Sequence, residues 1–125
     1  MYSEKIERYL INLSLSYELI NDGMWIIHDP DRGLENVVVY ADDSIVAVRV
    51  KVMDLPNNDA AGLYEQLLRL NLEMLHGAYA LEDNHIVLLN TFVAESMDLE
   101  EFQATLDSLG MALAQHYPVL NQFRG

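Results

Sequence analysis

Hydrophobic residues between Leu63 and Val93 follow first the pattern of a helix and then that of a β-hairpin. Two apolar stripes run along the helical part, the first formed by Leu63, Leu67, Leu70 and Met74 and the second by Leu68, Leu72 and Leu75. A helix that is apolar on more than one side needs burial on more than one side. We therefore expect a sheet to cover the first stripe. A second subunit or a partner should cover the second, unless the first and last helices of the chain do so.

The N-terminal half predicts one helix and three strands. Apolar residues recur at helical spacing between Ser3 and Asn21, namely at Ile6, Leu10, Leu13, Tyr17 and Ile20. Strands are predicted at Met24–Asp29, Asn36–Ala41 and Ile45–Met53. Short turns join them, so they should pair antiparallel as a meander. One buried face of the third strand, packed against the second helix, should carry its alternating valines: Val46, Val48, Val50 and Val52.

The segment after this meander predicts the second helix and a hairpin. Asp59 is suited to cap the helix, which should run to about Leu75. Gly77 supplies a stop, because glycine readily adopts the left-handed conformation found just after helices. The hairpin strands are predicted at Ala78–Leu81 and His85–Val93.

The last helix has a clear predicted start. Asp98 is the expected cap and Glu101 stands three residues later, as in a capping box. The helix should stop before Pro118, because the residue before a proline avoids the helical conformation. The predicted order is α-β-β-β-α-β-β-α. It indicates an α+β fold in which an antiparallel sheet packs with helices, as a single domain over residues 1–125.

Acidic residues dominate the charge of the chain. There are seven Lys and Arg against 20 Asp and Glu, which gives a formal net charge of −13, and no Lys or Arg lies between Arg69 and Arg124. Such a surface repels phosphate groups, so we expect no nucleic-acid partner and no binding to anionic membranes. The charge either keeps an apolar-rich protein soluble or steers it toward a basic partner segment.

The absence of cysteine excludes disulfides and thiolate metal sites and fits a reducing compartment. The N-terminal residues lack the basic start and apolar run of a signal peptide. No apolar run approaches the roughly 18 residues of a membrane span. We therefore expect a cytoplasmic protein.

No residue pattern predicts a catalytic site, a metal site or a cofactor. Asp42 and Asp43 would point to opposite faces in a strand and would be solvated in a turn. The four histidines contain no pair at i, i+4. One further group could be considered as a metal site, but it lacks the ligand spacing of a calcium-binding loop: His28, Asp29, Asp31 and Glu35.

Three residues on the first two strands, Trp25, Ile27 and Tyr40, are candidates for a partner-binding face. Large aromatic side chains often anchor protein interfaces when they are exposed. As core residues they would need no functional explanation, and the sequence leaves both alternatives open.

The stretch from Leu63 to Leu89 resembles the type III secretion chaperone-like superfamily, which includes the Tir chaperone group and the YbjN-like proteins. The matching text is Leu67-Leu68-Arg69-Leu70-Asn71, then Gly77-Ala78 and Leu81, then Ile86-Val87-Leu88. The predicted element order matches that superfamily over essentially the whole chain.

This resemblance implies a homodimer that binds an extended segment of a client protein and has no enzymatic activity. It carries over no catalytic residue. The dimer interface is expected at Leu68, Leu72 and Leu75, and the client site at the face of Trp25, Ile27 and Tyr40. The alternative is a YbjN-like structural or regulatory module that has no secretion client.

Overall fold

A computed structural model describes residues 2–124 of the chain. These residues form three α-helices, six β-strands and one short 3-10 helix at Pro30–Arg32. In chain order the elements are α1 (Ser3–Asn12), β1 (Tyr17–Asn21), β2 (Met24–Asp29), β3 (Leu34–Asp42), β4 (Ile45–Asp54), α2 (Ala60–Asn71), β5 (Ala78–Glu82), β6 (His85–Val93) and α3 (Leu99–Asn121). None of the described helices is long and apolar enough to span a membrane.

The six strands form one sheet in the order β1-β2-β3-β4-β6-β5, and every neighbouring pair is antiparallel. Apolar residues of all three helices pack with one side of this sheet in a single core cluster. The predicted α+β class, with an antiparallel sheet and helices, is therefore confirmed. The observed order has one more strand than predicted, α-β-β-β-β-α-β-β-α.

The additional strand arises because α1 ends at Asn12 and not at Asn21 as predicted. Ser14 adopts a left-handed conformation with φ of 56°. Its N–H bonds to the carbonyl of Ile11, and the N–H of Leu15 bonds to that of Leu10, each at 3.0 Å. These two bonds form a Schellman motif, and the burial of both leucines supports it. The residues from Tyr17 onward pair with β2 instead of continuing the helix.

The valine pattern of β4 is confirmed for three of its four residues. Val46, Val48 and Val50 are buried and belong to the core. An irregularity in the pairing of β4 with β6 falls between Lys51 and Met53. Such a bulge shifts the alternation by one residue. As a result Met53 is buried and Val52 is only half-buried.

The start of α2 is confirmed and its end is earlier than predicted. The Asp59 carboxylate accepts a hydrogen bond from the Gly62 N–H at 3.2 Å. The last residue of the helix is Asn71, not Leu75. Beyond it the chain makes tighter i→i−3 backbone bonds as far as Met74.

The predicted start of α3 is confirmed, whereas its predicted end is wrong. Asp98 and Glu101 form a complete capping box. The helix continues through Pro118 to Asn121. Leu120 lies beyond the proline and is 2% exposed, so its burial opposes the cost of the backbone hydrogen bond that the proline removes.

Candidate protein-binding surfaces

The two apolar stripes predicted on the second helix have opposite environments. Leu63, Leu67 and Leu70 of the first stripe are buried in the core. The second stripe faces solvent, with exposed fractions of 70%, 90% and 86% for Leu68, Leu72 and Leu75. The alternative that α1 and α3 cover this stripe is therefore wrong for the monomer.

A groove of about 300 Å³ lies beside this stripe, between α2 and the edge strand β5. Its lining is mostly apolar and consists of Tyr64, Leu67, Leu68, Asn71, Tyr79, Ala80, Leu81 and Ile86. Tyr64 and Leu81 on its two sides are also exposed. We use the name α2/β5 surface for five exposed residues: Tyr64, Leu68, Leu72, Leu75 and Leu81. Monomeric proteins seldom leave such a patch in contact with water.

Asn71 joins α2 to the edge strand through its side-chain amide. The amide oxygen accepts a hydrogen bond from the backbone N–H of Tyr79 at 2.7 Å, and the amide nitrogen donates to the Tyr79 carbonyl at 3.4 Å. The side chain thus replaces a neighbouring strand at this position. Edge strands present unpaired backbone groups that attract other chains, and Asn71 satisfies two of them.

The second apolar surface is the side of the sheet that faces away from the helices. Strand pairing places apolar residues of four strands there, among them Met24, Ile26, Val38, Tyr40, Ile45, Ala47, Leu89 and Val93. None of them belongs to the core cluster. Tyr40, Ile45 and Val93 are 36%, 41% and 56% exposed. Within residues 2–124 no helix packs on this side, which we call the open sheet face.

The three candidate residues on the first two strands fall on different sides of the sheet. Trp25 and Ile27 are 1% and 0% exposed and belong to the core cluster. Neither is an exposed anchor, and the core alternative applies to both. Tyr40 lies on the open sheet face, beside Met24. Each face of β2 carries two apolar residues, Met24 and Ile26 on one and Trp25 and Ile27 on the other, so the sequence pattern could not show which pair points inward.

Ion pairs occupy the end of the open sheet face near β5. Arg49 pairs with Glu82 across the sheet. The Lys51 ammonium lies 2.8 Å from the Asp54 carboxylate, which also accepts from His85 at 3.0 Å. The hydrogen bond from Lys51 has the largest effect in holding the pKa of Asp54 below its usual value, and the one from His85 adds to it. The positive charges at this end are therefore already matched by carboxylates.

The polar residues considered for catalysis or metal binding make separate contacts with their own neighbours. The imidazole of His28 is 3.8 Å from Glu18, and Asp29 is 3.9 Å from Arg32. Among the described residues, no group of three or more His, Asp or Glu side chains is arranged to hold a metal ion. The two exposed apolar surfaces are thus the candidate functional sites.

Comparison with known proteins gives a family match over nearly the whole chain. The family model described as CesT_Tir_1 matches residues 1–124. The resemblance inferred from the α2–β6 sequence is thereby confirmed. No curated protein matches the chain.

Three solved structures share the fold at low sequence identity. One is the heterodimeric ExoU–SpcU complex from the type III secretion system of Pseudomonas aeruginosa, at 18% identity and a TM-score of 0.73, covering 90% of this chain and 95% of that chain. Another is the Yersinia pestis type III secretion chaperone SycH in complex with a stable fragment of YscM2, at 20% identity and a TM-score of 0.63, covering 92% and 98%. The third is YbjN, a putative transcription regulator from E. coli, at 12% identity and a TM-score of 0.68, covering 94% and 92%.

Proposed function

Because this chain belongs to the CesT_Tir_1 family, we propose that it is a chaperone-like protein that binds an extended segment of a client protein and has no enzymatic activity. The observation that carries this proposal is the open sheet face, an apolar side of the sheet left without a covering layer. The likeness to structures of secretion chaperones with bound proteins supports it.

We propose Tyr40 as the centre of the client site. Its ring is partly exposed and has half-buried Met24 and Val38 nearby on the same face. A client segment laid across these strands would remove apolar surface from water, and burial contributes about 25 cal/mol per Å². A Tyr side chain is also a frequent anchor because its ring is apolar and its hydroxyl remains hydrated.

The α2/β5 surface is the proposed homodimer interface. The sequence assigns the interface to Leu68, Leu72 and Leu75, and their exposure in a single copy supports this proposal. A two-fold axis would bring the same patch of two copies together, so that each covers the other. This leaves the open sheet face of each copy for a client.

Cross-linking in cells tests the client site directly. A photoreactive phenylalanine analogue at Tyr40 should cross-link to a protein, and digestion should locate the attachment in one contiguous client segment. The same analogue at Gln103, an exposed position on α3, is the control. Equal cross-linking from both positions, or none from Tyr40, would count against the proposal.

A second candidate function is a structural or regulatory module without a secretion client. The likeness to YbjN, at a TM-score of 0.68, favours it, because that protein is described as a putative transcription regulator. Identifying the cross-linked protein separates the two functions. A secreted protein supports the chaperone-like function, whereas a resident protein that stays folded supports the regulatory module.

A further inference from the structure

Carboxylates border one end of the open sheet face. Asp42 pairs across the sheet with Ile45, and Ile45 pairs with Val93, so these three lie in one row. Glu95 follows Val93 by two residues and is exposed. Two exposed apolar residues of the face, Ile45 and Val93, therefore lie beside negative charges.

Two further carboxylates stand at the same end of the sheet. Asp22 lies in the β1–β2 turn and Asp43 in the β3–β4 turn, and both line one groove of about 320 Å³. The backbone N–H of Ala41, near the end of β3, donates to the carbonyl of Gly23 in the β1–β2 turn at 2.9 Å. We call the four carboxylates at this end the acidic margin: Asp22, Asp42, Asp43 and Glu95.

Among residues 2–124, the Lys and Arg side chains form no ion pair with the acidic margin. Six of the seven Lys and Arg side chains donate to an oxygen of the chain, namely those of Lys5, Arg32, Arg49, Lys51, Arg69 and Arg124. Lys5 is near this end, but its ammonium donates to the Ala94 carbonyl at 2.9 Å.

On the premise that the open sheet face binds the client, we propose that the client segment is cationic and amphipathic. Its apolar side chains lie on Tyr40, Ile45 and Val93, and its Lys or Arg side chains reach the acidic margin. A second copy of this chain fits the face poorly, because it would bring its own acidic margin against the first. Nucleic acids and anionic lipids are repelled by the same charges.

The acidic margin acts mainly on the speed of encounter and on partner choice. Opposite charges on the two partners raise association rates by about 10- to 1,000-fold, and salt reduces the effect. Screening is strong beyond about 8 Å at physiological ionic strength. The apolar contacts should therefore hold the segment, while the carboxylates select its charge.

Binding of three synthetic peptides tests this inference. The first is an extended amphipathic peptide in which leucine alternates with serine, so that all leucines share one face, and lysines flank the leucines. The other two keep the leucines and carry glutamate or glutamine in place of every lysine. Each peptide is labelled with fluorescein and titrated with the full-length protein while its anisotropy is measured, at low and at high salt.

Two protein variants with the same net charge serve as a matched pair. One combines Asp42→Asn with Asp43→Asn, and asparagine tolerates the left-handed conformation that Asp43 adopts, with φ of 54°. The other combines Glu100→Gln with Asp107→Asn, which are exposed on α3. Wild type should bind the lysine peptide at least about tenfold more tightly than the glutamate peptide. Asp42→Asn/Asp43→Asn should lose most of this preference, and Glu100→Gln/Asp107→Asn should keep it.

Three results would overturn the inference. They are equal affinity for the lysine and glutamate peptides, equal losses in the two variants, and no binding of any peptide. The cross-linking experiment at Tyr40 distinguishes a failure of this inference from a failure of the proposed function. If a client attaches at Tyr40 through an acidic or neutral segment, the proposed function stands and the cationic character of the client is wrong. If no client attaches at Tyr40, both proposals are wrong.

Discussion

The phenolic oxygen of Tyr79 lies 2.7 Å from Nδ1 of His116, and both residues are only 6% exposed. This hydrogen bond connects the edge strand β5 to α3. When the hydroxyl donates to Nδ1, the neutral imidazole carries its proton on Nε2, which lies 4.0 Å from Glu73. The strand that borders the α2/β5 groove is thus held by a buried polar contact as well as by Asn71.

Tyr79→Phe should lower the free energy of unfolding by about 1 to 2 kcal/mol, because it leaves buried Nδ1 of His116 without its partner. Urea unfolding at a fixed protein concentration measures the change. Tyr64→Phe, at an exposed tyrosine, is the control and should have little effect. A double-mutant cycle with His116→Leu should give a coupling above about 0.5 kcal/mol. Additive effects would show that the contact contributes nothing of its own.

Stability should fall at alkaline pH because of Tyr79. Burial raises the pKa of Tyr79 from 10.0 to about 12. The unfolded chain therefore releases this proton first, and the stabilisation that is complete below about pH 10 is lost as pH rises toward 12. The loss is on the order of 2 kcal/mol. Urea unfolding between about pH 8 and pH 12 should show a smaller decline for Tyr79→Phe than for wild type, and equal slopes would contradict the assignment.

Leu72→Asp should weaken the proposed homodimer by several kcal/mol, because it places an unpaired charge in an apolar contact. Leu72 is 90% exposed in the monomer, so the fold itself should be unaffected. Sedimentation equilibrium at tens of micromolar measures the association. Met111→Asp, at an exposed residue of α3, is the matched control.

Two results of that experiment have distinct meanings. A wild-type mass of 14.3 kDa, that of one chain, would exclude the dimer. A dimer that survives Leu72→Asp would move the interface to the open sheet face and would leave less room there for a client.

A chelator should leave the melting temperature unchanged, since no residue set has the spacing of metal ligands. Differential scanning calorimetry with and without EDTA measures this. A decrease of several degrees would contradict the expectation and direct attention to His28, Asp29 and Asp31.

Ser14→Gly should stabilise the protein by up to about 1 kcal/mol. Glycine adopts the left-handed conformation of this position without the strain that a side chain introduces. Ser14→Val should destabilise it, because a β-branched residue disfavours a positive φ. A helix continuing to Asn21 predicts the opposite sign for glycine, which would be costly in a helix interior. Thermal unfolding of the two variants therefore distinguishes the two structures.

Local signals in the sequence determined several elements closely. The Asp98–Glu101 capping box, the Asp59 cap and the bounds of β2 depend on residues near one another in the chain, and the structure confirms them. The exposure of Leu68 also follows from helical spacing, which turns it away from the buried leucines of α2. Leu72 and Leu75, by contrast, lie beyond the last residue of that helix, Asn71.

Pairing between distant residues decided the rest. The spacing of Tyr17 and Ile20 suits a helix, yet the segment pairs with β2 because Ser14 ends the helix before it. Trp25 points inward and Met24 outward because the helices pack on the side of the sheet that Trp25 shares with Val39, although both faces of β2 carry apolar residues. Hydrophobic periodicity identifies which residues share a face, but only the packing of helices on one side of the sheet decides which face is buried and which remains available to a partner.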